Sequence, residues 1–213
     1  KPMKKIFNLL NVLWALFFSL LMIAPSAFAQ EDSPDAMIKS VTEEVLSIVR
    51  QDKDIQSGNT QKAINLVETK VLPHFNFQRM TSLAVGRDWN KANVEQKKRL
   101  TEEFKTLLVR TYSNALTGYR NQTVRYRPTR MQAGDTEVVV KSEILQPGNK
   151  PIQLQYSVER QNEGWKVYDV VVAGVSLVSN YRSTFNQEVS ANGIDGLIKM
   201  LVDKNQQNNP NKQ

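Results

Sequence analysis

The sequence GWKVYDVVVAGVSLVSNYR, residues 164–182, changes from the pattern of a strand to that of a helix. Before Gly174 both faces of the alternation are largely apolar, which predicts a strand that is covered on both sides. After Gly174 the pattern predicts a helix that begins near Ser176, because a serine hydroxyl can accept a hydrogen bond from the free amides of a first turn. A single connection therefore joins a sheet to a helix that can cover it.

Three further strands are predicted upstream, because apolar and polar residues alternate from residue 123 onward. The four predicted strands are residues 123–131, 136–145, 151–161 and 165–172. Their connections are short and glycine-containing, which predicts an antiparallel meander. The third strand should have one solvent-exposed face and one apolar face, the latter formed by Ile152, Leu154, Tyr156 and Val158.

Helical periodicity dominates both sides of this sheet in the sequence. Ser33 and the pair Asn93 and Gln96 are predicted helix caps. Helices that flank a four-stranded antiparallel sheet predict an α+β fold with the helices on one face of the sheet. The predicted helices are residues 34–56, a short helix from 60 to the turn at Pro73, 77–84, 93–117, 176–191 and 195–203.

The first 29 residues have the order of a secretory signal peptide. Lys1, Lys4 and Lys5 precede an apolar run, and Ala27-Phe28-Ala29 forms a small-x-small cleavage site. A retained membrane anchor is the alternative, because an apolar run of about 18 residues approaches the length of a spanning helix. We predict a signal peptide at 1–29, a single domain at 30–204 and a polar disordered tail at 205–213.

The composition excludes several classes of protein. The chain contains no cysteine and a single histidine, which excludes a disulfide framework, a lipoprotein anchor and the usual zinc sites. The predicted leader carries three lysines and no acidic residue, so its removal lowers the formal net charge from +7 to +4. A mildly basic protein favours anionic membrane surfaces or acidic protein patches as partners.

Few residues could support catalysis. Asp169 lies in the fourth predicted strand, on the same parity as Val167 and Val171, and could act with Tyr168 or Tyr181 as a general base. A satisfied structural carboxylate is the simpler interpretation. Residues 174–178 resemble a nucleophile elbow, but the last position is valine and the motif requires glycine there.

Arginines are concentrated on the first predicted strand, at Arg125 and Arg127 and just beyond it at Arg130. They could contact phosphate headgroups or an acidic docking surface, or simply form a solvated strand face. Interleaved arginine and tyrosine can also bind single-stranded nucleic acid. Export argues against nucleic acid as a partner.

Apolar residues are in excess at helix and sheet positions that should face one another. From the sequence alone they predict a closed core, although the same residues could line a cavity. The set is Phe104, Leu107, Leu108, Tyr112, Val138, Val140, Leu154, Tyr156, Val167, Val171, Val178, Tyr181 and Phe185.

Several dispersed motifs resemble those of the toluene-tolerance family, in the family's order. They are Ala84-Val85-Gly86-Arg87-Asp88-Trp89, the helix around Gln96, Phe104, Leu107 and Tyr112, Gly164-Trp165-Lys166-Val167-Tyr168-Asp169-Val170, Gly174-Val175-Ser176-Leu177-Val178, and Asn180-Tyr181-Arg182 with Phe185. The resemblance covers nearly all of the chain after the predicted leader.

This resemblance implies a soluble periplasmic phospholipid carrier that helps to maintain the lipid asymmetry of the outer membrane. It implies a nuclear-transport-factor-like fold with added helices and an apolar cavity lined by members of the apolar set. The cargo would be phospholipid, with no other cofactor. The implied partners are a lipoprotein–porin complex in the outer membrane and an ATP-driven transporter in the inner membrane. A small enzyme and a protein-binding adaptor are the alternatives.

Overall fold

The structure, a computed structural model, describes residues 33–209, so the predicted signal peptide at 1–29 lies outside the described residues. The α-helices are α1 (Pro34–Gln51), α2 (Lys53–Gln56), α3 (Thr60–Lys70), α4 (Phe77–Val85), α5 (Val94–Tyr112) and α6 (Ser179–Gln207). Short 3₁₀ segments cover Leu72–His74, Gly86–Lys91 and Ser113–Gly118. The strands are β1 (Thr123–Arg127), β2 (Glu137–Leu145), β3 (Ile152–Gln161), β4 (Gly164–Val172) and β5 (Val175–Ser176).

The predicted caps begin α1 and α5. The Ser33 hydroxyl accepts a hydrogen bond from the Ala36 amide at 3.1 Å, and Asn93 and Gln96 form a reciprocal capping box. The helix predicted at 34–56 is interrupted at Asp52, whose carboxylate accepts hydrogen bonds from the amides that begin α2. Asp52 thus ends one helix and caps the next.

All strand pairs are antiparallel, in the order β1-β2-β3-β4-β5. The predicted α+β fold is confirmed, whereas the predicted count of four strands is wrong. Ala173 and Gly174, with φ of 50° and 87°, form a two-residue turn that folds Val175 and Ser176 back onto β4. Positive φ at both central residues is typical of the hairpin turns that match strand twist. The following helix therefore begins at Ser179 rather than at Ser176.

A bulge in β4 changes which of its side chains face inward. Ser157 pairs with Asp169 and Val158 pairs with Val167, so Tyr168 is an extra residue on β4. Val170 and Val172 consequently lie on the same face as Val167, whereas Asp169 and Val171 lie on the opposite face. The shared face that was predicted for Val167, Asp169 and Val171 is therefore wrong.

A closed helical core joins α4, α5 and α6. The Phe104 ring lies edge-on to the rings of Tyr181 and Phe185, with both centroid separations at 5.2 Å. Leu107 and Val178 belong to the same buried cluster. On the inner face of the sheet, a second cluster contains Ile38 of α1 with Val138, Val140, Val158, Trp165, Val167 and Val170.

The last helix extends further than the sequence predicts. Gly193, with φ of 71°, interrupts its helical geometry where two helices were predicted to divide. The helix then continues into the predicted tail, where the Asn205 side chain donates to the Glu103 carbonyl at 2.9 Å and Arg110 donates to the Asn205 carbonyl. The prediction of disorder from residue 205 is therefore wrong for residues 205–207. None of the helices among residues 33–209 combines the length and the hydropathy of a membrane-spanning segment.

Candidate functional site

An apolar cavity of about 280 Å³ lies between α1 and the inner face of the sheet. We call it the front cavity. Helix α1 contributes Met37, Ile38, Val41, Thr42, Val45 and Leu46. The sheet contributes Val124, Ile144, Leu154, Tyr156 and Val167. The remaining wall is formed by Val71, His74, Phe75, Ala115, Leu116 and Tyr119.

A second hollow of about 250 Å³, which we call the rear cavity, adjoins the first. Its walls include Leu108 and Tyr112 of α5, Val170 of β4, and Leu177. The two cavities have four residues in common, so they are separated by no more than these shared side chains. The shared residues are Val45, Val71, Phe75 and Leu116.

The cavity forms because the inner face of the sheet is closed at one end only. Val138 pairs with Val158, and both are buried against their neighbours. Toward the other end of β3, Tyr156 and Leu154 are only partly buried and line the front cavity. Helix α1 covers this end with a stripe of apolar residues at helical spacing, which forms a wall without filling the space.

The structure divides the thirteen predicted lining residues among five places. Leu154, Tyr156 and Val167 line the front cavity. Leu108 and Tyr112 line the rear cavity. The others lie elsewhere: Phe104, Leu107, Val178, Tyr181 and Phe185 in the helical core, Val138 and Val140 in the closed part of the sheet, and Val171 on the outer face.

Helix α1 forms the largest wall of the front cavity, and none of its residues is in the predicted lining set. Its apolar stripe, including Ile38, Val41 and Val45, is visible in the sequence as an amphipathic helix. This pattern shows that one face of α1 must be covered, but it does not show which part of the fold covers it. Only the structure shows that α1 lines the cavity.

Two of the three predicted arginines contact a carboxylate on the outer face of the sheet. Arg125 and Arg127 both form ion pairs with Glu143, whose side chain is only 1% exposed. The hydrogen bonds from Arg125 and Arg127 lower the pKa of Glu143 to about 2. Arg130 lies beyond β1 and is exposed. The three arginines therefore do not form one site.

We expect the pairs with Glu143 to make stability depend on pH. The pKa of Glu143 is lowered from 4.5 to about 2, so the charged carboxylate stabilises the fold above about pH 4.5, and this contribution is lost as the pH falls toward 2. Urea unfolding from pH 7 to pH 2 should show a difference in midpoint between the wild type and Glu143→Gln that shrinks across this window. A difference that stays constant with pH would contradict this origin.

The residues proposed for general-base catalysis do not meet at a cavity. The Asp169 carboxylate accepts hydrogen bonds from the Ser176 hydroxyl at 2.7 Å and from the Val178 amide at 3.2 Å. Ser176 also accepts one from the Ser179 amide at 2.9 Å, which fixes the first turn of α6. The Tyr168 hydroxyl donates to Glu137, and Tyr181 packs in the helical core. Asp169 and Ser176 thus tie β4 and β5 to the helix.

His74 lines the front cavity. Burial lowers its pKa, and the positive charge of Lys166 acts in the same direction. This favours a neutral imidazole in the cavity wall. Among residues 33–209, no cluster of three or more His, Cys, Asp or Glu side chains could hold a metal ion.

Known proteins resemble this chain in sequence. The MlaC protein family matches residues 39–203. The intermembrane phospholipid transport system binding protein MlaC of Haemophilus influenzae is 27% identical over 204 residues, which is 93% of this chain and 92% of the relative. The toluene tolerance protein ttg2D of Pseudomonas putida is 26% identical over 179 residues, 83% of this chain and 82% of the relative.

A solved structure has the same architecture. It is the phospholipid-binding protein of Ralstonia solanacearum in complex with a phospholipid, which is 40% identical with a TM-score of 0.76. The match covers 82% of this chain and 97% of that one. Together with the family match, it confirms the family that was predicted from the dispersed motifs. This chain belongs to the MlaC family.

Proposed function

We propose that this protein is a periplasmic phospholipid carrier that holds acyl chains in the front and rear cavities and leaves the headgroup near solvent. The observation that carries the proposal is the pair of adjoining apolar cavities, which have no Lys, Arg, Asp or Glu among their lining residues. The name of the Haemophilus relative includes phospholipid transport, and the Ralstonia protein was solved in complex with a phospholipid. Both relatives support phospholipid as the cargo here.

The energetics of acyl chains explain why a carrier is needed. The transfer of each methylene out of water is favourable by about 0.8 kcal/mol of free energy. Moving the tails of a lipid with roughly 28 methylenes into water would therefore cost on the order of 20 kcal/mol. Free diffusion across an aqueous gap is therefore negligible. The cavity and a bilayer are both apolar, so transfer between them is close to balanced and its direction must come from partner proteins.

The proposal includes the route and the partners. The leader at 1–29 directs export and is cleaved after Ala29, and the domain that follows is a nuclear-transport-factor-like fold with added helices. It docks transiently with a lipoprotein–porin complex at the outer membrane and with an ATP-driven transporter at the inner membrane. All three arginines of the predicted set are exposed. Arg125 and Arg127 pair with Glu143, so Arg130 is the better candidate for a partner or headgroup contact.

Cavity lining is proposed for those members of the apolar set that border the two cavities. They are Leu108, Tyr112, Leu154, Tyr156 and Val167, joined by the α1 residues that the structure adds. All of the other predicted residues except Val171 belong to the closed cores that adjoin the cavities. No catalytic step is part of this function.

Native mass spectrometry of protein purified from cells tests the carrier function. We expect a phospholipid mass to co-purify, and organic extraction of the same sample should release diacyl lipid. A delipidated sample should take up phospholipid again from vesicles, which serves as the control for loss during purification. Protein that stays empty in both samples would contradict the proposal and favour an adaptor.

A further inference from the structure

Strand β1 lies at one end of the sheet and has a free edge. It has β2 on one side only, and within residues 33–209 its backbone pairs with the backbone of no other element. Every second residue of an antiparallel strand directs its N–H and C=O groups toward the neighbouring strand, and the residues between direct theirs away from it. Such a row of unpaired groups is a template for a further strand.

Contacts at both ends hold β1 in place. Before the strand, the Tyr119 hydroxyl donates to the Gln122 carbonyl at 2.5 Å. After the strand, the hydroxyl and the amide of Thr129 donate to the Asp35 carboxylate at the start of α1. The free edge is therefore preorganised, which lowers the entropic cost of adding a strand to it.

The two faces of β1 differ in their chemistry. On the inner face, Val124 lines the front cavity. On the outer face, Arg125 lies opposite Glu143, and Arg127 lies opposite Lys141. Glu143 contacts both arginines but can neutralise only one of them. Three cations and one carboxylate at these four positions therefore leave a net charge of +2 beside the free edge.

These two faces determine which strand fits the edge. An added strand would place side chains opposite Arg125 and Arg127 on the outer face and opposite Val124 on the inner face. Opposite charges stabilise such a cross-strand pair, and like charges destabilise it. The strand that fits therefore alternates acidic and apolar residues. A second copy of this chain is disfavoured, because pairing two β1 strands would bring their arginines together.

We propose that the free edge of β1 is a docking site for an extended acidic segment of a partner protein, which adds to the sheet as a further strand. This inference rests on the docking step of the proposed carrier function and gives the chemistry that the partner must present. Backbone hydrogen bonds hold the added strand, and its alternate side chains give specificity. Because Val124 lines the front cavity, the added strand extends the wall of the cargo space.

Binding of a synthetic peptide tests the docking site. The probe is a fluorescent peptide of about seven residues, enough to span β1, in which glutamate alternates with valine. One control peptide alternates lysine with valine, and the other carries the same glutamates and valines in two separate blocks. We expect the probe to bind and to slow hydrogen exchange at the amides of residues 123–127. Both control peptides should bind at least about threefold more weakly.

Variants of the basic face test its part in binding. Arg127→Gln should weaken binding of the probe by about twofold to fivefold, while Arg125 still neutralises Glu143. Lys141→Gln removes a cation without altering the pairs with Glu143, so it should act in the same direction if Arg127→Gln fails to fold. Lys98→Gln makes the same change of charge on an exposed position of α5 and should leave binding unchanged.

Several results would overturn the docking site. One is no binding of the probe up to about 1 mM, and another is binding that does not slow exchange in β1. Protection of β1 in a dimer without the probe would assign the edge to a second copy, and protection by phosphatidylglycerol vesicles alone would assign it to a membrane. Uptake of phosphatidylcholine from vesicles by the same delipidated samples measures the carrier function separately. It should match the wild type in every variant, and failure of the wild type to take up lipid would contradict the carrier function itself.

Discussion

Replacing Phe104 with alanine should lower the free energy of unfolding by about 3–5 kcal/mol, the usual cost of emptying an aromatic position in a closed core. Phe104 is 0% exposed and lies edge-on to Tyr181 and Phe185, so its removal leaves a void where α5 meets α6. Urea unfolding followed by circular dichroism measures the change. Val94→Ala on the same helix is the control, since Val94 is 85% exposed and should change stability by less than about 0.5 kcal/mol.

This measurement also decides between two roles for Phe104. The sequence pattern allows Phe104 to line cargo space, and the structure places it in the helical core. A residue that borders an existing cavity leaves a smaller additional void when it is truncated. If the unfolding free energy fell by less than about 1 kcal/mol, Phe104 would not belong to a closed core and would instead line a cavity.

Local features of the fold were predictable because short-range chemistry determines them. Ser33, Asn93 and Gln96 cap helices through hydrogen bonds to amides at most three residues away, so their role is visible in the sequence. The alternation in β3 likewise predicts its inner face, because every second side chain of a regular strand points the same way. The division of the last helix at Gly193 follows from the same local reasoning.

The cavity was less predictable because it depends on two nonlocal features. One is the extra residue at Tyr168, which reverses the parity of the rest of β4 and sends Val171 outward while Val170 turns inward. A continuous apolar run carries no sign of such a bulge, since valine occupies positions 170, 171 and 172 alike. The other is the packing of α1 on the open end of the sheet, which periodicity does not specify.

Filling the front cavity should abolish cargo binding at little cost to stability. Val41 projects from α1 into the front cavity and is only partly buried, so tryptophan at this position occupies space that the acyl chains are proposed to use. We expect Val41→Trp to retain less than about one tenth of the wild-type phospholipid, with the unfolding free energy within about 1 kcal/mol of wild type. Overpacking a closed core would cost about 1–3 kcal/mol instead.

The same substitution on the opposite face of the sheet provides the matched control. Val139 is 44% exposed on the outer face of β2, so Val139→Trp should keep both its lipid and its stability. Val171→Trp should also keep its lipid, because the bulge at Tyr168 turns Val171 away from the cavity. Lipid phosphorus per protein, measured after organic extraction, compares the three variants. Loss of lipid from Val171→Trp but not from Val41→Trp would contradict this prediction. The cargo would then lie on the face of β4 that carries Val171, and not in the front cavity.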